Sequence, residues 1–445
     1  MVENLFDCMK KDSEGRSGNN LLNDDFLKAY NLLENNKSSF FITGRAGTGK
    51  STLLRYFRDR TKKKIVVLAP TGLAALNVGG QTIHSFFRLP PRVIESHHIK
   101  KVEDARLYKE LECIVIDEVS MVRADLLDGI DKFMRKNGKD SDKPFGGVQV
   151  ILFGDLFQLA PVVSSTETSL SERYMSPYFF SADVFDKIKL SIIELEKVYR
   201  QTDKDFIAIL DSIRTGEFDE KTLEMINSRV NPNFNAETDE SFITLTGTNE
   251  QANYLNMNKL GSLPGKRFVY NASFEGNFDK NGKNFPVDPE LYLKVGSKVI
   301  LTRNDPSGSY VNGSIGKVTD LDNNFVMVKL DQGGIVGVER TNWDKIEYKL
   351  DAETNKIIVE TKGRMKQFPI RLAWALTIHK SQGQTFDKIF IDLSRGAFSH
   401  GQTYVALSRS RTLNGIVLKS PIQISDIIID QAVVEFLERK TLNNF

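Results

Sequence analysis

Cysteine is almost missing from these 445 residues: Cys8 and Cys113 are the only two. A disulfide framework is therefore excluded, and a reducing compartment with at most a structural role for each thiol is expected. Histidine is also scarce, with five in all, two of them adjacent at His97 and His98. Neighbouring side chains diverge on a helix or a strand, so metal chelation by that pair is not expected. No apolar run approaches the roughly 20 residues of a membrane span. The longest, "IVVLAPTGLAAL", is interrupted by Pro70 and Gly72. Net charge is only +2, which argues against a histone-like polyanion binder. Between Thr361 and Arg411, nine Lys/Arg face two Asp, which reads either as a basic groove or as a scattered solvated surface. Residues 1–20 lack the apolar centre of a signal peptide and read as a flexible leader, and a cytoplasmic location is expected, nucleoid-associated in a bacterium.

What is present is a long chain with several cores. At this length two to four domains are expected. "SSFFIT" (38–43), "KKIVVLA" (63–69), "LECIVID" (111–117) and "VQVILFG" (148–154) are apolar on both faces, as buried parallel strands are. Helix-patterned segments lie between them, so residues 21–165 read as a doubly wound α/β unit. A second α/β pattern starts near Leu190 with "LSIIELE" and resumes after a break, giving parts at 166–261 and 369–445. In its helical stretch "KDFIAILDSIRTG", Gly216 is the expected cap. Between the two parts, 262–368 has short β-type runs with close turn signals such as Asn312-Gly313, as expected of a small inserted β domain.

The chemistry is concentrated in "GRAGTGKS", Gly44–Ser51, which follows a strand and opens a helix. Its glycines let successive backbone N–H groups face phosphate oxygens, and the helix adds its positive end. Gly44, Ala46, Gly47, Thr48 and Gly49 would form the cradle, Lys50 would reach the β and γ phosphates, and Ser51 and Thr52 open the helix, with Ser51 a magnesium ligand. "IVIDEVSM" supplies carboxylates at a strand end: Asp117 for the metal and Glu118 to polarise the attacking water. In "FGDLFQLAPV", Gln158 stands where an amide can contact both the water and the γ-phosphate.

These strings, with "APTGLAAL", "TIHSFF", "EKVYRQ", "TIHKSQGQTF" and "YVALSRSR" in that order, resemble the motifs of superfamily 1 helicases of the RecD-like group. "DKFMRKNGKDSDKPFGGVQVILFGDLFQLAPV" is similar to the segment that marks the Pif family of 5′-to-3′ DNA helicases. The resemblance runs from about Leu22 onward. It implies two RecA-like P-loop domains, with a small SH3-like β-barrel inserted in the second. It implies ATP and Mg2+ as cofactors, with Lys50, Glu118, Gln158, Arg200 and Arg409 catalytic, the two arginines reaching the γ-phosphate from the second domain. Gln382 and Gly383 would face the nucleotide. Thr71, Gly72, His84, Phe157, His379 and Lys380 would contact DNA. A duplex-splitting wedge is implied near 87–106, where Pro90 and Pro91 stiffen the chain.

The implied partners are single-stranded DNA and duplex with a 5′ overhang, together with G-quadruplexes and RNA–DNA hybrids. No membrane is involved, and a monomer is expected. The sequence departs from the family pattern at one place. Where a glutamine often reads the adenine edge, "LLNDDFLKAYNLL" has none and Phe26 stands near that position. Two other classes share the phosphate loop: a small-molecule kinase, which needs no second α/β half, and a nucleotide-gated clamp, which needs no Glu118.

Overall fold

The structure, a computed structural model, describes residues 24–163, 168–201, 203–234, 239, 241–278, 285–394 and 396–442. Cys8 and the expected leader lie outside these.

Six strands build the first sheet: β1 (Ser39–Gly44), β2 (Ile65–Ala69), β3 (Gln81–Thr82), β4 (Cys113–Ile116), β5 (Gln149–Phe153) and β6 (Leu190–Leu195). They are parallel, in the order β3-β2-β4-β5-β1-β6. Side chains alternate between faces along a strand, and here both faces are covered. Phe40 and Ile42 join Leu53, Leu54 and Phe57 of helix Lys50–Arg60 in one core. Phe41, Val66, Ile114 and Leu152 point the other way, into a larger core with helix Ala124–Asn137.

That second helix carries buried acids that act as clamps rather than as surface charges. Asp125 accepts the Ile94 N–H at 2.7 Å, and Asn137 accepts the Val102 N–H at 2.8 Å. Both bonds pin the 87–106 segment to the helix. Asp131 accepts the Phe145 N–H at 2.6 Å, and Asp128 accepts the Asp183 and Val184 N–H groups. The "KPFGG" turn is thus fixed by a carboxylate from inside the fold, which offsets the cost of burying both groups.

The expected break between 165 and 166 falls in the wrong place. β6 pairs with β1 along its whole length, from Ser39–Leu190 to Gly44–Leu195, so the first unit extends to Leu195. β6 is an edge strand whose residues are mostly half-exposed, and its apolar pattern does not say which sheet it joins.

The second sheet is smaller. Strand β7 (Ile243–Thr246) precedes a long insertion holding β8 (Phe268–Asn271), β9 (Ser273–Gly276), β10 (Glu290–Leu293), β11 (Lys298–Leu301), β12 (Ile315–Leu321), β13 (Phe325–Leu330), β14 (Ile335–Glu339), β15 (Thr341–Leu350), β16 (Ile357–Gln367) and β17 (Ile370–Leu372). The α/β unit then resumes with β18 (Ala375–Thr377), β19 (Ile389–Asp392) and β20 (Ile416–Leu418), in the parallel order β18-β7-β19-β20. Helix Lys204–Thr215 buries Phe206, Ile209, Leu210 and Ile213 and ends, as expected, on Gly216 in the left-handed region.

The insertion is antiparallel throughout. Its five-stranded sheet has the order β14-β13-β12-β11-β17, so it extends to Leu372, beyond the expected end at 368. The β15–β16 hairpin reaches the first unit, where the Tyr348 hydroxyl accepts the Val67 N–H at 3.1 Å. The C-terminal part also departs from expectation. Helix Gln431–Leu442 belongs by sequence to the second unit but packs on the first: Phe436 stacks on Phe180 with centroids 4.4 Å apart and meets Phe179 and Phe185 edge-on. An amphipathic helix reveals that one face is buried, but not against what.

Candidate active site

The phosphate loop links β1 to helix Lys50–Arg60 and is shaped by glycines where no side chain fits. Gly44, with φ 142°, has the Leu195 carbonyl where a Cβ would stand, and Gly47, with φ 84°, has the Arg200 side chain there. The β1–β6 pairing and the second arginine motif thus both crowd this loop. Lys50 folds across it, donating to the carbonyls of Gly44 at 2.6 Å and Arg45 at 2.9 Å. Burial lowers the Lys50 pKa, while Asp155 and Glu118 act to keep it charged. The Thr48 hydroxyl donates to the Arg45 carbonyl and braces the turn. Ser51 and Thr52 are exposed in the first helical turn.

β4 ends in the two carboxylates. Asp117 is buried, and Glu118 sits in the left-handed region at φ 50°, a strained setting for a residue with a Cβ. Burial raises the pKa of both, and the Asp117 charge raises that of Glu118 further, against the pull of Lys50. The Ser51 hydroxyl and the Asp117 carboxylate are hard oxygen donors, the type magnesium takes. Among the described residues no cluster of three or more His, Cys, Asp or Glu could chelate a metal unaided.

Gln158 is buried in the loop after β5. Its amide nitrogen donates to Asp155 at 3.2 Å. Its amide oxygen accepts from Nε2 of Gln382, which comes from the second unit and also donates to Glu118 Oε2, both at 3.1 Å. One amide thus spans the boundary between the units and touches two of the expected catalytic groups. Arg200 donates to the carbonyls of Ser408 and Gly383 at 3.4 Å. Arg409 is 1% exposed and is held by the carbonyls of Val405, Ser381 and Gln384 and by the Ser408 hydroxyl. Burial and the neighbouring Arg200 push its pKa down, against the pull of Tyr404 and Glu118. An arginine stays protonated under these conditions, so it is a preformed cation, and among the described residues no carboxylate is ion-paired with it.

The structure therefore brings the phosphate loop, Asp117, Glu118, Gln158, Arg200, Gln382, Gly383 and Arg409 to one seam. Several residues there were not singled out in the sequence. Gln201 donates to the carbonyls of Ser408 and Ser410, tying the two arginine motifs together. The Tyr404 hydroxyl accepts the Ala46 N–H at 2.9 Å. Tyr199, 42% exposed, donates its N–H to the Gly47 carbonyl and places its ring beside Gly49. All three lie inside the quoted motifs, and position alone could have flagged them.

The residues expected to contact DNA are more scattered. Thr71 caps helix Gly72–Val78 by accepting the Ala74 N–H. His84 and His379 are half-buried, and burial holds both imidazoles toward the neutral form. Lys380 is half-buried and is depressed by burial and by Arg371, with Asp288 opposing. Phe157 differs from the expectation of a DNA contact: it is 6% exposed and lies under the Arg214 guanidinium at 4.5 Å, because its loop is closed off by the second unit. Among the described residues the 361–411 basic stretch does not form one groove, since Lys362, Arg364 and Arg411 are ion-paired and Arg371 and Arg409 are buried. Phe26 packs edge-on against Tyr56 in the core and is not a base-reading group. His97 and His98 do not diverge. A short 3₁₀ turn sets their rings 3.9 Å apart, with His98 Nδ1 accepting the Glu95 N–H.

The model of the PIF1-like helicase family matches residues 22–227. The chain is 32% identical to the ATP-dependent DNA helicase Pif1 of Bdellovibrio bacteriovorus, over 94% of this chain and 92% of that protein. It is 32% identical to human PIF1, over 85% of this chain but only 58% of the longer human protein. Among solved structures, Bacteroides Pif1 in complex with ADP-AlF4 superposes with a TM-score of 0.86 at 37% identity, covering 96% of this chain and 98% of that one. The ssDNA-bound form of Bacteroides Pif1 gives 0.68 at the same identity and coverage. With the seam of phosphate loop, carboxylates, amides and arginines, these likenesses establish that the chain belongs to the PIF1-like helicase family, as an ATP-hydrolysing DNA helicase.

Proposed function

We propose that this helicase moves 5′ to 3′ along single-stranded DNA by opening and closing the seam between its two α/β units as ATP is bound and cleaved. The observation that carries the reading is the Gln382 amide, which bonds at once to Glu118 and Gln158 across the boundary. Lys50 and the loop N–H groups bind the phosphates. Glu118 orients and deprotonates the attacking water, and Arg200 and Arg409 meet charge developing on the transferred phosphoryl group. Ser51 and Asp117 would hold magnesium, which supplies neutralising charge on the phosphate oxygens. The Tyr199 ring offers a face for the base, consistent with the missing adenine-reading glutamine. Stacking discriminates bases poorly, so other purine nucleotides are expected to support turnover.

Thr71, Gly72, His84, His379 and Lys380 would line the strand's path, with phosphate and sugar contacts that carry no sequence code. The 87–106 segment, pinned to its helix by Asp125 and Asn137, would split the duplex, and the inserted β domain, read as an SH3-like barrel, would flank the groove. The direction of movement is carried by the family resemblance. The same resemblance extends the substrates to G-quadruplexes and RNA–DNA hybrids, and we propose a monomer working in a reducing, intracellular setting. Unwinding of fluorophore-labelled duplexes with 5′ or 3′ tails tests this reading, with Lys50→Ala as control. Strand release from the 5′-tailed substrate alone is expected; equal or greater release from the 3′-tailed substrate contradicts it.

A further inference from the structure

Helix Lys204–Thr215 of the second unit touches two of the first-unit segments that carry nucleotide-facing groups, the phosphate loop and the Gln158 loop. Asp211 and Arg214 are three residues apart and so share one helical face. Asp211 is ion-paired with Arg45 of the phosphate loop at 2.6 Å. Arg214 enters the loop of Gln158, where its Nε and one terminal nitrogen donate to Asp155 Oδ1 at 3.3 and 3.2 Å. The pair is buried, Arg214 at 7% exposure and Asp155 at 1%. The other Asp155 oxygen accepts from the Gln158 amide nitrogen. Two further second-unit residues close on the same loop: His400 Nε2 bonds to the Leu156 carbonyl at 2.7 Å, and any side chain at Gly401 would run into the carbonyls of Phe157 and Gln158.

A glutamine amide has a donor end and an acceptor end. A carboxylate accepts only, so Asp155 fixes the donor end and turns the acceptor end toward Gln382. Asp155 can do this only while ionised, and an isolated carboxylate at this depth is strongly disfavoured. Arg214 is the ion-paired partner and supplies the larger share of the compensating charge, with Lys50 of the first unit supplying the rest, and Arg214 moves with the second unit. The orientation of the amide is therefore tied to the seating of that unit.

We propose that Arg214 is a positioning residue for ATP hydrolysis, holding the Gln158 amide through Asp155 whenever the second unit is closed on the first. The proposal rests on the role given above to Gln158. It requires that Arg214 and Gln158 act as one unit, whose losses do not add.

The test is a double-mutant cycle on the full chain: wild type, Gln158→Ala, Arg214→Met and the double variant, with single-stranded oligonucleotide and magnesium-ATP. The readouts are kcat and KM for phosphate release, oligonucleotide affinity and melting temperature. Arg214→Met keeps an apolar stem over Phe157 and removes the charge. It is expected to lower kcat about 10- to 100-fold, with KM and oligonucleotide affinity within about threefold of wild type. Gln158→Ala should fall by a similar factor, and the double variant should be within about threefold of the worse single. Arg214→Lys, which keeps the charge, should recover at least half of the lost activation free energy. Should Arg214→Met fail to melt cooperatively, Asp155→Asn replaces it in the same cycle with the same expectation. A folded Arg214→Met enzyme at the wild-type kcat overturns the proposal. So do losses that multiply in the double variant while Gln158→Ala alone is impaired. Wild-type turnover by Gln158→Ala would instead overturn the role of Gln158, and the proposal with it.

Discussion

The two α/β units place their parallel strand ends at the same seam, yet they bring opposite things to it. The first unit offers a loop of backbone N–H groups, one lysine and two carboxylates whose charged forms are disfavoured by burial. The second offers arginines and amides held by backbone carbonyls, with no glycine-rich cradle. A site built wholly in the first unit would cut ATP without any need for motion. Dividing it makes catalysis depend on the relation of two bodies, and that dependence is what a motor uses.

Mutations can break this comparison in order of expected size. Lys50→Ala removes the first unit's cation; phosphate release in the presence of oligonucleotide should fall by about 10³-fold or more, with oligonucleotide affinity nearly kept. Arg409→Ala and Arg200→Ala remove the second unit's cations; kcat should fall by about 10³-fold while KM for ATP stays within about threefold. Arg409→Ala should also lower the melting temperature more than Arg200→Ala, because Arg409 is itself buried and satisfies three backbone carbonyls. Phe436→Ala attacks the helix that crosses back to the first unit. It should destabilise by about 3–5 kcal/mol in urea denaturation and leave kcat within about twofold.

The smallest expected effect is acid sensitivity. Burial works to raise the Asp155 pKa, but the charges of Arg214 and Lys50 outweigh it and hold it below the usual carboxylate range. A depressed folded-state pKa contributes stability that is present above the unfolded value, about 3.9, and is lost as pH falls through the folded one. Arg214→Met removes that contribution and lets burial raise the Asp155 pKa, so its stability deficit relative to wild type should be largest near pH 7 and should narrow as pH falls through the acid range, as read by melting temperature.

Much of the first unit was legible because its strands are apolar on both faces and its loop glycines have a chemical reason. β6 reads in sequence as the start of the second sheet because an edge strand's pattern does not name its partner. The place of the C-terminal helix is hidden for a similar reason: Phe436 marks a buried face, while the aromatic cluster it meets lies some 250 residues earlier. Within the site, Lys50, Glu118 and Gln158 could be read from local motifs. Arg214 could not, since a single arginine near a helix end carries no spacing signal and its partner Asp155 belongs to another unit. Phe157, a DNA contact by family resemblance, is buried because it joins the first unit's core and because Arg214 and Gly401 of the second unit close on its loop, a contact that no local pattern announces.

The most direct measurement is a crystal structure of this chain with ADP, magnesium and aluminium fluoride. The account predicts the Arg200 and Arg409 guanidinium groups within about 3 Å of the fluoride ligands, with Gln158 and Glu118 flanking the water. Arginines left outside hydrogen-bond reach, with the phosphate mimic enclosed by first-unit groups alone, would contradict it.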